Sequence, residues 1–406
     1  MEGEDDRSGP PAAPSQENDA PIQVLPTGSP FSSSQASHSA SVDAQLQSIR
    51  AKMESAGEKE KWNQVADIAR KAEEIFAKKI SDLEDFIPEL NVSKCAAGCV
   101  VALKCLLEWN INKKNDDAAI RTILLVKQMM DTGSVRKHHI VAVIDIYAGL
   151  FCRITDILIK KAEFANGLLL LKSAIDVLVD KSDQTVTSLH GLYFTLCLKA
   201  HAINPGLEYI YPYIRAVLDE SPSGNSASNN SSIDSRSLLT YLYYGALLLA
   251  RTSNWKRAAI LLDMAVSVPG MAVSEVQIEA LKKLYIISLM KNGEVNVTNK
   301  SSALAKAWKN AGMVYVQLAN AVENAGKKED IGGQEKKDLD AWSAASNVFR
   351  LQQRTFDKDG NSDLVRLLIH ELKLKAVLRV AKLYNVISIQ KLICLANLSG
   401  AEETSV

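Results

Sequence analysis

The stretch LLTYLYYGALLLARTSNWKRAAILLDMAVSVPG, residues 238–270, reads as two short helices joined back to back. Tyr241 and the small Gly245 fall on the first helix. After a short turn come Trp255, Ala258, Leu262 and Ala265, and Pro269 closes the unit. Small residues let two helices approach, and large ones fill the groove between them.

That order resembles a tetratricopeptide repeat, with a turn one residue longer and a run to the proline one residue shorter. Looser second helices are predicted from Phe164 and from Pro205, where Asn204 would cap a helix carrying GLEYIYPYI. The interval from Pro205 to Trp255 includes SPSGNSASNNSSIDSRS (221–237), which is almost free of apolar side chains and reads as a flexible loop. Allowing for it, the period is about 40 residues, as expected of a superhelical stack of helix pairs.

Apolar residues recur at steps of three and four from about residue 43 onward. Leu374, Val377, Leu378, Ala381 and Tyr384 share one predicted helical face, and Lys375, Arg379 and Lys382 another. Helix ends are legible too. Ser274 with Gln277 makes a capping box before a stripe of Ile278, Leu281, Tyr285 and Leu289, and Asn292-Gly293 ends that helix. The predicted fold is all-α: a superhelical array of tetratricopeptide-like helix pairs, its tyrosines and Trp255 serving repeat packing.

Composition is that of an ordinary globular chain, with 47% apolar residues and 47 basic against 47 acidic side chains. Residues 1–42 hold six carboxylates against Arg7 and six of the eleven prolines, so they read as a disordered acidic tail of charge −5. The +5 left to the rest is too small and too dispersed to mark a nucleic-acid footprint. No run approaches about 18 apolar residues and no signal-peptide core stands at the start, so no membrane is expected and a cytoplasmic or nuclear chain is.

Six cysteines sit mostly within apolar helical runs and read as core thiols. Cys95 and Cys99 stand one turn apart, but no second pair completes a tetrahedral zinc site. IHEL (369–372) opens like a zinc-protease helix, yet Leu374 occupies the second histidine's place. His138 and His139, adjacent in sequence, would point apart, as surface and turn residues; His190 reads as a satisfied core histidine. No phosphate loop or nucleophile elbow occurs. No catalytic, cofactor-binding or metal-ligating residue is assigned, no cofactor is expected, and the chain is read as a non-enzyme.

Near the C-terminus, TFDKDGNSD (355–363) reads as a hinge, with Asp363 capping a helix to about Tyr384. Ser388 would cap IQKLICLAN, and Ser399 with Glu402 a further helix: the outline of a helix-turn-helix with Ile389, Leu392, Ile393 and Leu395 as its core. Carboxylates Glu402 and Glu403 stand where a DNA-reading helix would meet phosphates, which argues against DNA.

Taken together, YYGALLLARTSNWKRAAILLDMAVSVPGMAVSEVQIEALKKLYIISLM (243–290), VTSLHGLYFTLCLKAH (186–201) and LVRLLIHELKLKAVLRVAKLYNVISIQKLICLANLSG (364–400) resemble the PCI-domain family, and within it the subunit-three family of the COP-nine signalosome. The resemblance covers roughly residues 45–400. PCI proteins also build the proteasome lid and translation initiation factor three, and those are the alternative assignments. A helix-turn-helix nucleic-acid-binding protein is another.

The resemblance implies a helical-repeat domain over 43–354 followed by a partial winged-helix segment over 355–406. It also implies a non-catalytic scaffold in a complex that removes a ubiquitin-like modifier from cullin-RING ligases through a zinc metalloprotease in another subunit. The neighbours implied are signalosome subunits one and eight. Family members continue past LSG through a third helix, a β-hairpin wing and a C-terminal helix, whereas this sequence stops at Val406. The expectation is therefore a C-terminally truncated winged helix, an isoform or an incomplete gene model, whose Leu392, Leu395 and Leu398 lack partners.

Overall fold

The computed structural model describes residues 36–218, 220, 235–269, 272–297, 301–325 and 341–395. The chain divides into two units at residue 45, and the described part of the first is the start of helix α1. The helices are α1 (Ala36–Glu58), α2 (Trp62–Lys78), α3 (Ile80–Glu89), α4 (Val92–Asn112), α5 (Asp116–Asp131), α6 (Lys137–Ile140), α7 (Ile144–Lys161), α8 (Phe164–Leu178) and α9 (Ser188–Lys199). They continue as α10 (Ile203–Leu207), α11 (Ser235–Arg251), α12 (Trp255–Ser267), α13 (Glu275–Asn292), α14 (Ser302–Ala311), α15 (Met313–Ala325), α16 (Ala341–Lys358), α17 (Ser362–Leu383) and α18 (Ile389–Leu395). Helices close in sequence pack together: α4 against α2, α3, α5 and α7; α9 against α8 and α11; α11 against α12; α13 against α12, α15 and α17. The result is an all-α array of helix pairs.

One local device recurs along this array. At Glu60, Lys114, Ala162, His201 and Ser253 the backbone turns left-handed, with φ between 49° and 58° in every non-glycine case of this sign. The following amide then bonds back five residues: Lys61 to Ala56, Asn115 to Asn110, Glu163 to Leu158, Ala202 to Cys197 and Asn254 to Leu249, at 3.0 Å in each case. These are Schellman caps, which satisfy the last carbonyls of one helix and reverse the chain into the next. Each accepting carbonyl belongs to a buried residue, so the reversal is anchored in the core. Side chains complete two of the turns, Asn115 accepting from the Ala118 amide and Asn254 from the Arg257 amide.

The stretch 355–363 is a further copy of that turn. Gly360 is left-handed, its amide bonds to Asp357, and the Asn361 amide reaches back 2.9 Å to Phe356. Phe356, Asn361 and Ser362 are buried. The predicted hinge is thus a hydrogen-bonded Schellman cap, and the cap of α17 is Asn361 rather than Asp363. The hydrophobic core runs through this point unbroken, from Leu46 to Ala376, so packing marks no boundary at residue 354.

Several expectations hold in detail. α11 and α12 bracket a three-residue turn, with Ala258, Leu262 and Ala265 fully buried and a Cβ on Gly245 only 3.4 Å from the Phe194 ring. α8 begins at Phe164. α13 has the Ser274–Gln277 capping box and ends on left-handed Gly293. It also buries Leu284, Ile286, Ile287 and Met290 outside the predicted stripe, because α11, α12, α15 and α17 cover it on several sides.

Others are corrected. The predicted helix from Pro205 is a single turn that begins at Ile203 with Ala202, not Asn204, in the cap position. Pro212 disfavours helical geometry at Tyr211 and supplies no amide of its own. The side chain of Tyr241 replaces the missing helical partners, accepting from the Tyr211 amide (2.8 Å) and donating to the Tyr209 carbonyl (3.1 Å). The segment then adds a two-residue parallel bridge, Ala216–Val217 (β2) beside Thr185–Val186 (β1). Of the predicted loop 221–237, residues 235–237 are the first turn of α11 and Ser237 is buried; the remainder lies outside the described residues. Residues 36–42, assigned to the tail, are helical, and residues 1–35 lie outside the described residues.

The buried face of α17 is Val365, Leu368, Leu372, Ala376 and Val380. Leu374, Leu378, Ala381 and Tyr384, from the predicted apolar face, are exposed instead. This helix carries apolar residues on two sides, and α13 and α16 cover one of them. Ser388 does begin α18, its carbonyl accepting from the Leu392 amide at 2.9 Å. The expected helix-turn-helix core is absent there: no residue of α18 is buried, and Ile389 is 75% exposed. The predicted Ser399–Glu402 capping box and Leu398 lie outside the described residues.

Candidate protein-interaction surfaces

The residues weighed for chemistry are placed as structural groups. His190 is fully buried, with Nδ1 accepting from the Thr187 amide (3.1 Å) and lying 2.9 Å from the Thr187 hydroxyl, and Nε2 lying 3.1 Å from the Tyr211 hydroxyl. Since Nδ1 faces a backbone N–H, the proton of the neutral ring sits on Nε2. Burial pulls its pKa down to about 4. Burial likewise pushes the Cys95 and Cys99 thiols up to about 12, leaving them unreactive core groups.

His138 and His139 do not point apart. Their rings meet edge to face at 4.2 Å, and both contact Trp62. His139 is buried and its Nδ1 accepts from the Arg136 amide, closing the first turn of α6. Adjacent side chains splay in a continuous helix, but this one lasts four residues and the indole gathers both rings. His370 and Glu371 of the IHEL stretch lie on α17 with no metal-binding set around them. Among the described residues no group of three His, Cys, Asp or Glu could hold a metal ion, and no helix is long and apolar enough to cross a membrane.

A polar cluster that sequence reading missed joins α13 to the α16–α17 turn. Lys282, with a side chain 10% exposed, pairs with Asp359 at 2.9 Å and Glu279 at 2.8 Å. Burial draws its pKa down, but its hydrogen bonds to Glu279 and Asp359 outweigh that and hold it above the ordinary lysine value. Lys283 pairs with Glu279 at 3.3 Å, and burial lowers its pKa. The Tyr315 hydroxyl donates to Asp359 and accepts from the Asn361 amide group, both at 2.8 Å. Further along, Lys375 donates to the Met290 carbonyl, complementing the C-terminal end of α13. No spacing rule links Lys282 to Asp359; only the folded array brings them together.

Two candidate surfaces for partners stand out among the described residues. One is the exposed apolar side of α17 with the stretch into α18, including Val386 at 91% exposure. The other is a cleft of about 530 Å3 walled by the ends of α9 and α11, the start of α12, the middle of α13 and the α16–α17 turn. Arrays of this kind work by presenting such extended surfaces to other chains.

Residues 59–305 match the family model described as COP9 signalosome complex subunit 3, N-terminal helical repeats. The chain is also similar to the COP9 signalosome complex subunit 3 of Caenorhabditis elegans, 23% identical over 383 residues, covering 84% of this chain and 72% of that protein. With the Arabidopsis thaliana protein of the same name it shares 25% identity over 368 residues, covering 89% of this chain and 76% of that one. The matched repeats run from the end of the first Schellman turn into α14, across the same helices whose packing is described above. The chain therefore belongs to the COP9 signalosome complex subunit 3 family.

Proposed function

We propose that this chain is a non-catalytic scaffold subunit of a COP9 signalosome, which holds neighbouring subunits in place while another subunit removes the ubiquitin-like modifier from cullin-RING ubiquitin ligases. The observation carrying the reading is the unbroken core from Leu46 to Ala376 beneath the family match. An array locked by repeated caps and a buried ionic joint is a rigid platform, and rigidity is what positioning neighbours requires. The polar groups of the interior serve packing, which suits a scaffold. Subunits one and eight are the neighbours assigned, and cytoplasm and nucleus the compartments. Residues 355–406 act in assembly as a partial winged-helix segment, attached through the Gly360 cap without a hinge.

Affinity purification of the tagged full chain, with mass spectrometry of what co-purifies, tests this. Recovery of signalosome subunits, with cross-links to subunits one and eight, is the expected result. Recovery of proteasome-lid or initiation-factor subunits in their place overturns it, and cross-links to other signalosome subunits alone overturn the choice of neighbours. Expression at endogenous level with a fluorescent tag checks the compartments.

A further inference from the structure

α17 turns an apolar line away from the core. Leu374 stands about 160° round the helix from both Leu372 and Ala376, which lie on the buried face. Leu367, Leu374 and Leu378 are 36%, 42% and 50% exposed, and Ala381 is exposed too. Single surface leucines are ordinary, so it is their register that matters. Leu367, Leu374 and Ala381 are spaced by seven, and Val377 and Leu378 fall between the last two. That is a heptad seam, the pattern by which one helix receives another. From Leu367 to Ala381 it runs for about 21 Å along the helix.

Charge borders the seam on both sides. Arg366 and Lys373, seven residues apart, lie on one flank, and Lys375 and Lys382, also seven apart, lie on the other. Lys373 rests over the Trp342 ring at 4.9 Å and Lys375 donates to the Met290 carbonyl, partners that fix the ammonium groups and are not carboxylates. Arg366 pairs with Asp363 at 3.2 Å, an exposed pair of little strength. Glu371 is the one other carboxylate on α17, and residues 372–395 carry five Lys or Arg and no Asp or Glu.

These features select among possible covers. A second copy of the chain would lay cations against cations, whichever way the two seams ran. The stretch that follows on the same chain, 384–395, adds Lys391 and no carboxylate. An extended strand repeats every second residue and cannot follow a seam of period seven. A lipid surface asks for a broad apolar face, and this one is a single line between charges. A helix with apolar residues in heptads and carboxylates beside them satisfies seam and flanks together, since its carboxylates fall against the flanking cations.

We propose that the outer seam of α17 receives an amphipathic helix of a partner polypeptide, its apolar residues set in heptads and flanked by Asp and Glu. Its apolar side chains pack on Leu367, Leu374 and Leu378, and its carboxylates lie beside Lys373 and Lys382. This goes beyond the scaffold reading and does not depend on which complex the chain enters.

Fluorescence anisotropy on the full chain tests it with three labelled peptides of three heptads each. The first carries Leu at the seam positions and Glu beside them, the second has Lys in place of every Glu, and the third shuffles the composition of the first. The acidic peptide is expected to bind with Kd below about 50 µM at low salt, and at least about threefold more weakly at about 0.5 M salt. The basic and shuffled peptides should bind at least about tenfold more weakly than the acidic one. Leu374→Gln should cost the acidic peptide at least about fivefold. Leu374 is exposed, so an unchanged thermal melt will show that the variant folds. Failure of the acidic peptide to bind up to about 500 µM overturns the proposal. So does binding indifferent to salt, equal binding of the basic or the shuffled peptide, or a Leu374→Gln chain that binds as well as the parent. Retention on phosphatidylserine vesicles that Leu374→Gln abolishes, with no binding of the acidic peptide, assigns the seam to a lipid surface and overturns the partner helix.

Discussion

The α16–α17 turn and the stretch from Tyr384 through α18 are neighbours in sequence and opposites in burial. The turn buries charges: Asp359, Lys282, Tyr315 and Asn361 share one hydrogen-bonded cluster beneath a Schellman cap. The later stretch exposes hydrocarbon, with Val386 and Ile389 largely in solvent and nothing of α18 buried. Residue type alone would assign the core and the surface the other way round. What decides is whether long-range partners exist. Asp359 meets a lysine and a tyrosine that arrive on α13 and α15, while Ile389 stays 75% exposed.

The largest test of that contrast is Asp359→Ala. Lys282 and Tyr315 would each lose a buried partner, although Glu279 still accepts from Lys282. Removing one member of a buried pair costs about 3 kcal/mol or more. Chemical denaturation should show a loss of this size, with faster hydrogen exchange centred on α13 and the turn. A loss below about 1 kcal/mol would mean that the cluster is not a joint.

His190 asks whether satisfied burial matters equally inside the repeats. Its folded pKa is about 4 against an ordinary 6.5, so between those values the unfolded chain binds a proton that the folded chain excludes. Stability from this group is complete above pH 6.5 and falls as pH drops towards 4, by about 3 kcal/mol in all. Comparing the parent with His190→Gln, unfolding free energies measured across that range should show a slope in the parent that the variant lacks. Parallel slopes would assign acid sensitivity elsewhere.

How much of this was legible depends on how far apart the deciding groups lie. The ends of α13 are set by Ser274, Gln277 and Gly293 acting on amides and carbonyls within their own turns, and the sequence states them. The start of α12 at Trp255 is equally local. By contrast, α17 carries two apolar sides, and the side turned inward is chosen by α13 and α16. The Schellman turns were hidden for another reason. Five of them place Glu, Lys, Ala, His or Ser where glycine is the usual signal, and only Gly360 has it. That lone glycine sits among polar residues and so looked like a hinge. The cleft was invisible because its walls come from α9, α11, α13 and the α16–α17 turn, which lie far apart in the sequence.

Those turns give a smaller test. A Cβ at Gly360 would meet nothing within 4 Å, so Gly360→Ala imposes backbone strain and no clash. The left-handed conformation costs a non-glycine residue about 1 kcal/mol. Ala162, at the same conformation, should respond in the opposite sense, Ala162→Gly being neutral or stabilising by up to about 1 kcal/mol. Thermal melts of both variants check the pair. Equal destabilisation by both would show that the two turns are not one device.

The smallest effect is expected where the side chains are most apolar. Ile389 already faces solvent in the folded chain, so Ile389→Ser removes little that folding gained, and the change in stability should stay within about 0.5 kcal/mol. Amides of 385–395 should exchange quickly, because α18 spans seven residues, too few for a helix to hold without packing. The same substitution in a residue buried on α17, Leu368→Ser, supplies the control and should cost about 3 kcal/mol or more, through the cavity and the unpaired hydroxyl together. If Ile389→Ser instead cost more than about 1.5 kcal/mol, α18 would have to be covered in solution, whether by another part of the chain or by a second copy. Repeating the melt over a hundredfold range of protein concentration separates those two. Only a cover supplied by another molecule makes the midpoint rise with concentration, since association stabilises by mass action and an intramolecular contact does not.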